Sequence, residues 1–92
     1  MEIKRTENDH KGTFTAYIDG EQAGLMTYTW AGKTQFIIDH TEADSKFSGK
    51  GVGKSMVLSA VEFAREKGVK IIPLCPFAKA VLEKNKDLHD VL

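Results

Sequence analysis

The hydrophobic pattern of this chain changes period once, and the change falls on a glycine-rich stretch. Up to Ala43 apolar residues recur at every second position. From Val52 they recur at every third or fourth, and SGKGVGKS, Ser48 to Ser55, lies at the junction. Period two builds a sheet with one apolar face, and period 3.6 builds a helix with an apolar stripe that can cover that face. Phe14, Ala16 and Ile18 alternate with Thr15 and Tyr17 as a half-buried strand. Asp19-Gly20 offers the left-handed backbone of a tight hairpin turn. A strand over Ala23 to Trp30, a turn at Ala31-Gly32-Lys33 and a strand over Thr34 to about Ala43 follow. These three strands read as an antiparallel meander, with Ile3 in a short strand before it and a loop over residues 44–48.

Val52, Met56, Ala60 and Phe63 form one helical stripe, widened by Val57, Val61 and Ala64. Gly68 after Lys67 is a natural residue to end that helix. Residues 69–74 read as a short buried strand, and Phe77 to Lys84 as a second helix with Pro76 at its first turn. The tail after Asn85 is polar and is expected to pack loosely. The fold class is therefore α+β: an antiparallel meander followed by helix, strand and helix, with the first helix as a crossover. The length of 92 residues fits one domain over 1–92. Lys plus Arg equals Asp plus Glu, 13 against 13, which argues against a nucleic-acid partner held by bulk charge. One cysteine allows no internal disulfide, the N-terminus has no apolar core for a signal peptide, and no apolar run nears the ~20 residues of a membrane helix. A cytoplasmic location with no membrane partner is the expectation.

The glycine stretch has three readings. A nucleotide-triphosphate loop needs G-x-x-x-x-G-K-[ST], and its first glycine would stand at position 48, which is Ser48. Antiparallel preceding strands also fit that reading poorly. A coenzyme pyrophosphate asks less: a loop opening a helix, with unpartnered first-turn N–H groups that glycines 49, 51 and 53 leave unscreened. Lys50 and Lys54, with Lys46 nearby, add positive charge. The bland reading is a turn with solvated lysines.

The surrounding residues narrow the choice. HTEADSKFSGKGVGKSMVLSAVEFAREKGVKII, followed by CPFAKAVLEK, resembles the GCN5-related N-acetyltransferase superfamily, and most closely its very small single-domain subfamily. The likeness runs from about Thr34 to Leu82 through three motifs: D-H-T-E, G-x-G-x-G and C-P-F-A-K. Gly51 and Gly53 match the small positions of the superfamily's [Q/R]-x-x-G-x-[G/A] signature, and Ser48 stands where Gln or Arg is usual. The resemblance implies a mixed sheet whose fourth and fifth strands splay into an acetyl-CoA cleft. It places the pyrophosphate on the amides of Gly49, Lys50, Gly51, Val52, Gly53 and Lys54, beside Ser48. It places the pantetheine arm along Thr41, Glu42 and Ala43, against Phe77. It implies acetyl transfer to an amine, small molecule or peptide, yet the usual tyrosine acid of the last helix is absent. Tyr17 and Tyr28 both lie in early strands.

Two residues are candidates for the chemistry. Cys75 ends the last strand before a helix N-terminus, a position that favours the thiolate. His40 lies late in the third long strand and is expected beside Cys75, as general base or as partner in an acetyl-cysteine relay. Inert structural roles are the alternative for both. Strand alternation turns Asp39 away from His40's face and leaves Glu42 as its neighbour. Trp30 and Phe36 are core or cleft lip, Lys79 is solvated, and His10 and His89 mark no metal site. The other function classes are a coenzyme-A-binding module without efficient transfer, a nucleotide hydrolase and a purely structural domain.

Overall fold

The computed structural model describes all 92 residues. Its elements are β1 (Glu2–Asn8), β2 (Lys11–Ile18), β3 (Glu21–Trp30), β4 (Gln35–Ala43), α1 (Val52–Lys67), β5 (Lys70–Pro73) and α2 (Pro76–Lys84), with 3-10 turns at Ser45–Phe47 and Lys86–Val91. The sheet order follows the chain, β1-β2-β3-β4-β5. β1 to β4 pair antiparallel, and β5 pairs parallel with β4 after the α1 crossover. The α+β class and the meander–helix–strand–helix order are those of the sequence pattern. Asp19 (φ 50°) and Gly20 (φ 80°) make the β2–β3 hairpin in the left-handed backbone expected of them.

One face of the sheet is the core face. Phe14, Ala16, Met26, Tyr28, Phe36 and Ile38 lie on it and are buried beneath α1, whose own stripe is Val52, Met56, Val57, Ala60, Val61 and Ala64. On the opposite face Thr13, Thr15, Thr27, Thr29 and Ile37 remain partly exposed, and no helix covers them. Ala78 and Leu82 of α2 complete the core. No helix is long and apolar enough to cross a membrane.

Two local expectations change. β1 is a full seven-residue edge strand rather than a short one around Ile3. Its charged side chains face largely solvent, so the segment carries no alternation to read. It is held by a polar cap over the aromatic core. Tyr28 Oη and Trp30 Nε1 each donate to Glu7 Oε1 at 2.8 Å, and Arg5 Nη1 donates to Tyr28 Oη at 2.9 Å. The tail is also packed rather than loose. Leu88 and Val91 fall three apart on one side of the 3-10 turn and are buried, while Arg65 clamps Asp90 at 2.8 and 2.9 Å and Lys70 reaches the Asp90 carbonyl.

Candidate functional site

The site is built where β4 and β5 part. Their pairing runs from Gln35–Lys70 to Ile38–Pro73 and stops. Cys75 N–H makes the last link, donating to the Ile38 carbonyl at 3.1 Å, and β4 continues alone to Ala43 on that side. At this point β4 carries a β-bulge. Ile38 faces Tyr28 and His40 faces Thr27, so Asp39 is the extra residue. A bulge bends its strand and sharpens the local twist, which turns β4 away from β5.

The bulge also shifts the side-chain phase. Unbroken alternation from buried Ile38 would put His40 on the core face, beside Cys75. With the extra residue, Thr41 pairs with Met26 on the core face and His40 and Glu42 turn to the open face. The consequence is direct. Cys75 Sγ donates to Thr41 Oγ1 at 3.3 Å, whereas His40 Nε2 meets Glu42 Oε1 at 3.1 Å and is largely exposed. The structure therefore brings His40 to Glu42, as expected, and separates it from Cys75, which was not expected. Asp39 is turned to the open face too, its carboxylate accepting from Thr29 Oγ1 at 2.7 Å, so it shares His40's face rather than opposing it.

Cys75 is buried and stands as the residue before α2, with Pro76 at the first helical position. Burial pushes its thiol up. The Thr41 hydroxyl and the amides of Ala78, Phe77 and Thr41 outweigh burial, and the net shift is below the ordinary thiol value.

Across the gap lies the start of α1. Gly49 (φ 82°) and Gly51 (φ 71°) hold left-handed backbone that a side chain would strain. Gly51 caps the helix with no side-chain bond to its amides, and the Ser55 N–H to Gly51 carbonyl contact at 2.9 Å is the first helical bond. The N–H groups of Gly49, Gly51, Val52, Gly53 and Lys54 consequently find no acceptor within the protein. Five free donors around a helix N-terminus have the chemistry that suits an anion. The side chains of Lys50 and Lys54 stand exposed around it, as does Ser48. Val52 offers only its amide, because its side chain is buried.

Two glycines do work that pattern reading missed. A Cβ on Gly24 of β3 would lie 2.7 Å from Val52 Cγ1 and 2.9 Å from the Glu42 carbonyl oxygen. Its absence lets the first turn of α1 settle onto β3 and β4, which fixes the cradle beside the gap. A Cβ on Gly53 would lie 2.6 Å from Phe77 Cζ. Gly53 is small so that the half-exposed Phe77 ring can pack on the first turn of α1, which joins the α1 and α2 N-termini over the gap. Gly24 reads in the sequence only as a weak spot in a strand, and the clue was its place within an otherwise continuous apolar run.

A model of the family described as GCN5-related N-acetyl-transferase matches residues 13–91. The chain belongs to the GCN5-related N-acetyltransferase family. Among curated relatives, Protein NATD1 of Xenopus tropicalis is 26% identical over 83 residues, covering 88% of this chain and 76% of the relative. Among solved structures, a GCN5-like protein from Staphylococcus aureus is 36% identical with a TM-score of 0.72, covering 98% of this chain and 85% of that one. A ribosomal-protein-alanine N-acetyltransferase from Brucella melitensis shares the fold at 18% identity and a TM-score of 0.72, and this chain spans 62% of its length. A Bacillus anthracis protein assigned as a streptothricin acetyltransferase, solved with acetyl coenzyme A, shares the fold at 19% identity and a TM-score of 0.61, and this chain spans 39% of its length.

The five-stranded mixed sheet with α1 and α2 is thus the fold of that family. Neither tyrosine lies at the gap. Tyr28 is fully buried under the Glu7 cap, and Tyr17 stacks with Lys4 at 5.5 Å. Trp30 packs edge-on against Phe36 and Phe63 at the opposite end of the core, so neither Trp30 nor Phe36 forms a cleft lip.

Proposed function

We propose that this chain binds acetyl-CoA between β4 and β5 and transfers its acetyl group to an amine. The observation that carries the reading is the set of five free amides, Gly49 and Gly51 to Lys54, at the mouth of a gap between parted strands. Fixed N–H dipoles left without a protein acceptor suit a diphosphate, and Lys50 and Lys54 add screened positive charge. The backbone of Thr41 to Ala43, unpaired on the β5 side, suits an extended amide-bearing arm added like a strand. Phe77 gives that arm an apolar wall. A Bacillus anthracis relative in fold is solved with acetyl coenzyme A, which supports the same ligand here.

Within the gap Cys75 is the group best prepared for covalent work. In the proposed relay its thiolate attacks the thioester carbonyl, a new S–C bond forms and the coenzyme leaves as its thiolate. The amine nitrogen then takes the acetyl group, gives its proton to a base and returns Cys75 to thiolate. Thr41 is the positioning residue: its hydroxyl holds the sulfur and favours its ionised form. His40 stands on the other face with Glu42, and in this reading serves the amine's proton rather than the thiol.

A thiol-release assay with a panel of amines tests the transfer, and intact mass after incubation with acetyl-CoA tests the relay. Release above the hydrolysis rate and a gain of one acetyl group, lost in Cys75→Ala, are the expected results. Release with no mass gain at any time would replace the relay by direct transfer. The absence of tyrosine from the gap favours a second reading, a coenzyme-binding module, and acetyl-CoA binding with no release for any amine would select it.

A further inference from the structure

No helix covers the open face of the sheet, and the charges on it are divided between its two sides. Strand pairing sets its residues in rows. One row is Lys4, Thr15, Leu25 and Glu42, and the next is Thr6, Thr13, Thr27 and His40. Thr6 Oγ1 meets Thr13 Oγ1 at 2.7 Å, and Lys4 Nζ lies 5.5 Å from the centre of the Tyr17 ring, so these side chains share the face. The β1–β2 side carries Lys4 and Lys11, and neither has a carboxylate partner in the chain. The β4 side carries Asp39 and Glu42. Asp39 has no cationic partner, and Glu42 meets only His40. Glu2, the one carboxylate on the β1–β2 side of this face, sits at the strand end. Between the two sides lie the half-buried Thr13, Thr15, Leu25 and Thr27, with no charge among them.

We infer that this face pairs with the same face of a second copy of the chain, as two sheets stacked about a two-fold axis. An axis close to the strand direction, between β2 and β3, returns each row onto itself with its ends exchanged. Lys4 of one copy then lies over Glu42 of the other, and the contact is repeated across the axis. Thr15 faces Leu25, Thr13 faces Thr27, and Lys11 comes beside Asp39. Sheets stacked in this aligned way lie about 10 Å apart, a space that threonine, leucine and lysine side chains fill from both sides. A two-fold axis across the strands would instead set Asp39 and Glu42 of one copy over those of the other, which like charges oppose. Four strands about 4.8 Å apart and seven residues of about 3.3 Å each give an overlap of about 20 by 23 Å, at the low end for a specific interface, so the dimer is weak and concentration-dependent. β5 and the mouth of the gap lie outside the overlap. The inference therefore does not rest on what occupies the gap.

Sedimentation equilibrium of the full chain, from micromolar to near-millimolar concentration, tests this. The wild type is expected to pass from monomer to dimer, and to do so less readily as salt rises. Thr13→Lys sets a charge in the middle of the stack and is expected to leave the chain monomeric throughout. Lys4→Glu and Glu42→Lys each turn two attractions into repulsions, and each is expected to weaken pairing about tenfold or more. An equimolar mixture of these two variants restores both attractions and is expected to pair about as well as the wild type. All three positions lie on the uncovered face, so each variant is expected to melt near the wild type by circular dichroism, and the melts identify any that fails to fold. A wild type that is monomeric at every concentration overturns the inference and leaves the face to solvent or to a different protein. A dimer that Thr13→Lys does not weaken lies on another surface and overturns it as well. So does a mixture of Lys4→Glu and Glu42→Lys that pairs no better than either variant alone.

Discussion

Gly24→Ala is the substitution that couples the fold of this chain to its cradle. The added Cβ would lie 2.7 Å from Val52 Cγ1, 2.9 Å from Met56 Cε and 2.9 Å from the Glu42 carbonyl oxygen. The Met56 terminus can swing aside. The Glu42 carbonyl is held in the β3–β4 ladder, and Val52 is a branched side chain in the first turn of a helix, so neither yields without backbone movement. Overpacking of this kind costs about 1–3 kcal/mol. For a domain of this size each kcal/mol lowers Tm by about 4–8 °C, so a loss on the order of 10 °C is expected. The easiest relief lifts the N-terminus of α1 from the sheet, which spreads the free amides, and acetyl-CoA affinity should fall with stability. Gly20→Ala is the control. It strains a left-handed turn residue (φ 80°) with nothing within 4 Å, costs about 1–2 kcal/mol and should leave affinity unchanged. Thermal melts by circular dichroism with acetyl-CoA titrations of both variants read the comparison. A Gly24→Ala protein that loses stability while binding the coenzyme as wild type does would refute the coupling.

Three further outcomes are expected. The Trp30 and Tyr28 donors hold the Glu7 carboxyl below its usual value, so its stabilisation is complete above the unfolded value near 4.5 and fades as pH falls through the lower folded value. Glu7→Gln should therefore flatten the acid limb of stability against pH in urea melts, and an unchanged limb would count against the cap. Thr41→Val removes the hydroxyl that favours the Cys75 thiolate, so the midpoint of iodoacetamide alkylation against pH should move up; an unmoved midpoint would mean Thr41 does not tune the thiol. Val91→Ala removes two buried methyl groups and should cost about 2 kcal/mol by denaturant unfolding, whereas a loosely packed tail would lose almost nothing.

The parts of the fold that residue type dictates locally could be read in advance. Asp19-Gly20 announced its hairpin, the Val52–Met56–Ala60–Phe63 stripe announced α1, and Gly68 announced its end in left-handed backbone (φ 68°). β1 was legible only at Ile3, because an edge strand with solvent on most sides needs no apolar alternation and finds its place through pairing with β2. The tail escaped notice because two apolar residues, Leu88 and Val91, suffice to anchor one 3-10 turn among charges. The loop that leaves the α1 amides free was legible in Gly49 and Gly51, where a left-handed backbone leaves its mark on residue choice. The bulge at Asp39 was not. Nothing in the residue types of IIDHTE says where a strand takes up an extra residue, since that is decided by the β3 partner and the twist of the sheet. That one unreadable residue decided which side chain met Cys75, and so exchanged His40 for Thr41.

The central claim is that the amides of Gly49 and Gly51 to Lys54 hold the diphosphate of acetyl-CoA, and titration calorimetry of acetyl-CoA into the wild type and Gly51→Ala tests it most directly. Gly51 has nothing within 4 Å of its Cβ direction, so alanine there disturbs the left-handed cap (φ 71°) without crowding a neighbour. The account predicts one-to-one binding to the wild type, about five- to thirtyfold weaker binding to Gly51→Ala and no comparable heat from ATP with magnesium, as expected if about 1–2 kcal/mol of cap strain is set against the free amides. Equal binding by both proteins, or no binding of acetyl-CoA to the wild type, would contradict it.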